Sequence, residues 1–338
     1  MLEGVRRLAL VGVAKNCGKT TTLNYLLSCG VCDGRTVGLV SIGIDGESAD
    51  LLIGTKKPPI NVVAGQWVVT ARDALAKSSA RIEYVASLGF STPLGEVVAG
   101  RVIEGGTIVL AGMRHAGDLA EAVEVLEAHG VDLVIIDGAY GRTVAARSQI
   151  SDAIIVSTGA VLSEQLDVIC TRTVRLIERL AAPAVEANWQ RSLIERAIAE
   201  DRSLLGGEAI APIELPASSA LVGLRDAGAL WTEQVQAIAV PGLVSDSVVE
   251  HLLAVNDVRR TLLVPDGTVL QVSRRLMRRF LRRWEIRALH SACILAVSVN
   301  PTGVQGQQVD SDALIDGLRE RLRMRWSQVA VFDPLAAS

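Results

Sequence analysis

Hydrophobic positions along the chain come in two spacings. Short runs dominated by Leu, Val, Ile and Ala lie at 8–11, 37–42, 133–136, 153–156, 237–240, 261–264, 293–299 and 329–332. Such runs read as strands buried on both faces, the pattern of a parallel sheet. Between them apolar residues recur every three or four positions, as at Leu119, Ala122, Val123 and Leu126. That spacing predicts helices over 18–29, 118–129, 163–180, 273–289 and 310–326, with a short one near 71–77. Residues 60–112 are rich in β-branched residues and glycine, and predict several strands, some antiparallel, inserted into the core. Regular alternation of strand and helix predicts an α/β fold with a doubly wound, mostly parallel sheet. The Pro/Ala stretch at 181–185 marks the best boundary, giving a core of 1–182 and a C-terminal α/β portion of 183–338, separate or continuous with it. No internal repeat is legible.

Composition sharpens this picture only slightly. The 338 residues are 49% hydrophobic but only 3% aromatic, with a net charge of -3. A mildly acidic chain has no global positive field to draw nucleic acid, so none is expected as a partner. The run of apolar residues after Arg6 and Arg7 is too short for a membrane span and leads straight into a glycine-bearing turn. No membrane association and a cytoplasmic location are therefore expected. Five cysteines without a secretion signal point to reduced thiols.

The strongest chemical signal is LALVGVAKNCGKTTTLNYLL at 8–27. A buried strand, a loop and then Gly-Lys-Thr at a helix start is the arrangement that cradles phosphates: backbone N–H groups and the helix dipole point at the anion. Gly18 leaves room, Lys19 reaches the β- and γ-phosphates, and the Thr20 hydroxyl suits Mg2+. Thr21 falls near the α-phosphate. Gly12, Lys15, Asn16 and Cys17 complete the loop. The usual signature has four residues between its glycines. Here there are five, since position 13 is Val13 and the glycine is Gly12. The expected fold is thus a P-loop NTPase, and the expected ligands are ATP and Mg2+. No Asn/Thr-Lys-x-Asp guanine-reading motif is present, which favours ATP over GTP.

A triphosphatase also needs carboxylates to hold the metal and position water. Asp137 ends the apolar run 133–136, and Asp45 follows the run 37–42 with Glu47 and Asp50 behind it. Both are expected at C-terminal strand ends, where ligands of open α/β sheets gather. Asp45 and Asp137 are therefore the candidate metal ligands beside Thr20, and with Lys19 the candidate catalytic residues. Lys15 is a second loop lysine of the kind that reaches across a nucleotide-sandwich homodimer, though one position later than expected.

Two weaker features remain. Cys29 and Cys32 form a C-x-x-C without a second pair, which does not make a zinc site. In SRRLMRRFLRRW, at 273–284, six arginines oppose Leu276, Met277, Phe280, Leu281 and Trp284. A solvated basic face on a packed helix accounts for this pattern, and so would a surface for an acidic partner.

The phosphate loop, SIGIDGESADLLIGTKKPP at 41–59, IIDGAYGR at 135–142 with ISDAIIVSTGA after it, and VSVNPTGVQG at 297–306 together resemble the ATP-binding subunit (KamB) of the lysine aminomutase reactivating factor. The resemblance implies an ATP-hydrolysing reactivase that ejects damaged cobalamin from a lysine aminomutase dependent on adenosylcobalamin and pyridoxal phosphate. It also implies two protein partners, a second KamC-like reactivase subunit and the aminomutase. The loop spacing alone is similar to dethiobiotin synthetases and cobyrinate-amidating enzymes, which would imply an ATP-dependent ligase. A metal-insertion GTPase or nucleotide switch is the further alternative.

Overall fold

A computed structural model describes residues 2–42, 58–113, 115–138, 150–217, 219–255, 258–304 and 306–336. The chain divides into two compact units, Met1–Ile177 with Cys293–Ser338, and Glu178–Ala292.

In the first unit β1 (Arg7–Gly12) leads into α1 (Lys19–Ser28), β2 (Val37–Ile42), β3 (Ile60–Val62), β4 (Trp67–Ala71) and a four-residue α2 (Arg72–Leu75). The hairpin β5 (Arg81–Thr92) and β6 (Gly95–Glu104) follows, then β7 (Gly106–Ile108), α3 (Ala116–Ala128), β8 (Leu133–Gly138) and β9 (Ala153–Gly159). Helix α4 (Leu166–Leu180) leads out of this unit.

The second unit holds α5 (Asn188–Glu200), β10 (Leu204–Gly207), β11 (Ile210–Glu214), α6 (Ala220–Arg225), β12 (Ala237–Ala239) and β13 (Val244–Ser245). It continues through α7 (Asp246–Ala254), β14 (Arg260–Val264), β15 (Leu270–Gln271), α8 (Arg274–Phe280) and β16 (Trp284–Ala288). The chain then returns to the first unit for β17 (Ile294–Asn300), α9 (Ser311–Leu322) and β18 (Ala330–Phe332).

Nine strands form one sheet in the order β18-β17-β9-β1-β8-β2-β4-β6-β5. The seven from β18 to β4 are mutually parallel, and β6 and β5 close one edge antiparallel. The architecture is therefore mixed α/β, as the alternation predicts. The central strands β1, β2, β8 and β9 are buried almost throughout because their runs of Val, Leu and Ile meet apolar side chains on both faces.

Residues 60–112 hold several strands, some antiparallel, as expected: β4, β6 and β5 extend the main sheet, and β3 pairs antiparallel with β7. Two expectations are corrected. The C-terminal portion is not one piece, because β17 pairs with β9 and only residues 178–292 form a second unit. Burial accounts for this, since Ala296, Val297 and Val299 of β17 are sealed beside β9.

The second correction concerns the helix expected over 273–289. It ends at Phe280, and residues 284–288 instead form β16, parallel to β14. Trp284, Ile286 and Ala288 are buried while Glu285 and Arg287 are partly exposed, which is a period of two. Leu281, assigned by helical spacing to the buried face, is 52% exposed.

The second unit also repeats a motif that its sequence hides. β12–β13–α7 is followed by β14–β15–α8, with β12 parallel to β14 and β13 parallel to β15. No described helix is long and apolar enough to cross a membrane.

Candidate functional site

Strand order places the site. From β1 the chain builds outward on one side, returns to lay β8 directly beside β1, and only then crosses to β9 on the other side. The C-terminal end of β1 is thus where winding reverses, and it is there that a parallel sheet opens a crevice for ligands. The loop at 13–18 leaves β1 at that point and enters α1.

The loop is tightly curled. A Cβ at Gly12 would stand 2.6 Å from the Cys17 sulfur, 2.9 Å from the Ala14 carbonyl oxygen and 3.2 Å from Lys19 Nζ. The last distance shows Lys19 folded back across the loop toward its first glycine. Gly18, at φ 96°, caps α1 in the left-handed region, and Asn16 also has a positive φ of 60°. Gly18 is needed on both counts, because a Cβ there would also press on Asn300 at 3.0 Å.

No side chain caps the start of α1, so the first backbone N–H groups of this ten-residue helix have no side-chain acceptor from the capping residue. A cradle too tight for a Cβ, a folded-back ammonium and an uncapped helix start suit a phosphate chain. Thr20 and Thr21 sit half-buried in the first turn. Cys17 is 1% exposed, and burial pushes its thiol pKa up. Its side chain fills the loop's interior as an inert apolar group, so only its backbone can serve a ligand.

Asp137 lies near the end of β8. On β8 it is level with Leu10 of β1 on one side and Ser41 of β2 on the other. It therefore lies two residues below the start of the loop, one strand over, and is partly buried. Asp45, Glu47 and Asp50 lie outside the described residues, as does most of the segment after β8. The strand that leads to Asp45 ends at Ile42, level with Gly138. Lys15 is half-exposed in the turn of the loop.

The structure adds residues to which the sequence reading gave no role. Thr22, Ser157 and Ser298 are each 0–1% exposed and join three elements by their hydroxyls. Thr22 Oγ1 is 2.7 Å from Ser298 Oγ and 3.3 Å from Ser157 Oγ, and it donates to the Gly18 carbonyl at 3.0 Å. Ser298 donates to Ser157 at 2.9 Å. The start of α1 is thereby tied to β9 and β17, and Val13 N–H donates to the Ser157 carbonyl at 2.9 Å. Asn300, ending β17, packs on Gly18 and Gly159, and its Oδ1 accepts from Thr302 N–H at 3.2 Å. Small hydroxyls inside otherwise aliphatic strands (Ser157, Ser298) were the available signal.

Further out, Asp152 accepts from the N–H groups of Arg6 and Arg7 at 2.9 Å each, anchoring the start of β1. Arg7 and Glu127 form a two-pronged pair at 2.8 and 2.7 Å. That hydrogen-bonded guanidinium holds the Glu127 carboxyl below the usual carboxylate range.

Cys29 is exposed and Cys32 buried, both as free thiols, with the Cys32 pKa pushed up to about 11 by burial. Among the described residues no three His, Cys, Asp or Glu side chains cluster as a metal site. Comparison with protein-family models, with curated proteins and with solved structures gives no match.

Proposed function

We propose that the chain is a P-loop nucleoside triphosphatase acting on ATP. One observation carries the reading: the curled Gly12–Lys19 loop stands at the strand-order reversal, with the Asp137 carboxylate one strand over. In this reading backbone N–H groups of the loop and the first turn of α1 hold the β- and γ-phosphates, and the Lys19 ammonium swings from Gly12 onto them.

Thr20, Asp137 and Asp45 are the residues that would hold Mg2+, which neutralises phosphate charge when bound. Hydrolysis is attack of water on the γ-phosphorus with departure of the β-phosphate oxygen. Asp45 or Asp137 orients that water and accepts its proton as the new P–O bond forms. Fixed donors stabilise charge as it moves toward the leaving oxygen, without reorganising during the step.

The resemblance in the phosphate loop and the stretches at 41–59, 135–160 and 297–306 supports a specific use of this activity. It would drive release of damaged cobalamin from a lysine aminomutase, together with a KamC-like subunit. The experiment is cobalamin release from inactivated aminomutase in the presence of ATP, with wild type and Lys19→Ala. The reading expects release by wild type alone, with the variant still binding the aminomutase. Equal release by both would sink the reactivase assignment.

A further inference from the structure

The second unit distributes its charge unevenly. Residues 178–292 contain fourteen arginines, no lysine and fourteen acidic residues, so the unit as a whole is neutral. Yet residues 274–283 hold six of the arginines and no acid.

Elsewhere in the unit four of the eight arginines are matched: Arg196 with Glu200, Arg202 with Glu214, Arg259 with Glu285, and Arg287 with Glu186. Arg274, Arg275, Arg278, Arg279 and Arg282 are all exposed, and none forms an ion pair among the described residues. At 3.6 residues per turn, the four arginines on α8 fall within an arc of about 140°. They face a cleft of about 850 Å³ between α8 and α7.

Five exposed guanidinium groups of one sign raise a local positive potential that draws anions to this face. We propose that the α8 arginine face docks an acidic segment of a partner protein. Arg274/Arg278 and Arg275/Arg279 are i,i+4 pairs, about 6 Å apart along the helix. Carboxylates on alternate residues of an extended segment repeat at about 7 Å. Each guanidinium can then take one carboxylate through two parallel N–H···O bonds.

Three features select this occupant. The apolar side of α8 is committed to the unit's own core, with Phe280 buried and Leu276 and Met277 packed against that cluster. That leaves Leu281, 52% exposed, as a single apolar side chain beside the arginines, too little to insert into a lipid surface. Phe280 and Trp284 are stacked on each other and buried, so no exposed ring stands among the arginines as a platform for bases. Finally, Asp246 and Glu250 line the same cleft. They repel any anion placed opposite them, which a peptide with carboxylates on alternate residues can avoid and a phosphate at every nucleotide cannot.

The test is fluorescence anisotropy on the full chain at about 50 and about 200 mM salt, the range over which phosphate-backbone contacts weaken most visibly. The probes are a labelled decapeptide of alternating glutamate and alanine and a labelled single-stranded DNA 12-mer. Phosphatidylserine vesicles are tested by cosedimentation. Arg275→Glu/Arg279→Glu is compared with wild type, with Arg275→Gln/Arg279→Gln as a milder version, and with Arg323→Glu/Arg325→Glu as an equal charge change elsewhere.

The expected result is peptide binding weakened at least tenfold in both α8 variants and unchanged in the control. The proposal is overturned by absence of peptide binding, by equal loss in the control, or by DNA or vesicles binding more tightly than peptide with the same dependence on α8. None of these outcomes depends on nucleotide, so they leave the ATPase reading untouched.

Discussion

Replacing Thr22 with valine removes one hydroxyl from the knot under the loop at 13–18 while keeping the side chain's shape. The Gly18 carbonyl retains its helical partner, since Thr22 N–H also donates to it at 2.9 Å. Ser298 still donates to Ser157. Ser157 and Ser298, however, both lose Thr22 Oγ1 as a hydrogen-bonding partner, in a site that is fully buried. An unsatisfied buried donor costs about 1–3 kcal/mol, and the lost hydrogen bond to Gly18 adds roughly 1 kcal/mol.

Thr22→Val should therefore destabilise the first unit by about 2–4 kcal/mol. For a unit of this size that lowers Tm by roughly 4–16 °C. Thermal unfolding is followed by circular dichroism, alongside ATP titration of the folded protein. Because the knot fixes the start of α1, ATP affinity should fall as well. A variant within about 0.5 kcal/mol of wild type, binding ATP equally well, would refute the idea that these hydroxyls hold the loop.

Two further perturbations follow from the same geometry. Gly12→Ala places a Cβ 2.6 Å from the Cys17 sulfur and 2.9 Å from the Ala14 oxygen, so the loop must open. ATP affinity should fall at least tenfold, about 1.4 kcal/mol, by calorimetric titration, and wild-type affinity would contradict the cradle. Glu127→Gln should cost about 1 kcal/mol at pH 7 in urea unfolding, because Arg7 and Glu127 are only 29% and 17% exposed. The folded Glu127 pKa is depressed, so this stability is present above the ordinary carboxylate pKa and lost as pH falls through the folded value. The gap between variant and wild type should thus close in acid, and a gap independent of pH would show that the ion pair contributes nothing.

The central strands and the loop were legible because both leave local signals. Mostly apolar runs mark β1, β2, β8, β9 and β17, and Gly18-Lys19-Thr20 marks the start of α1. What pairs with what was less legible. Nothing local tells β17 to rejoin the first sheet beside β9 rather than extend the second, since that choice rests on burial across about 140 residues of separation. β16 was misread because a Trp284–Ala288 alternation directly follows a helical stretch, and the two periods share Trp284 as a buried position. Thr22, Ser157 and Ser298 carried no motif at all. Their importance arises only when three distant segments meet.

The most direct measurement for the account is Mg2+-dependent ATP binding by isothermal titration calorimetry, with wild type and Lys19→Ala at matched folding. The account predicts one site per chain that is weakened at least tenfold without Mg2+ or without the Lys19 ammonium. Binding indifferent to both, or no binding by a folded wild-type chain, would contradict it.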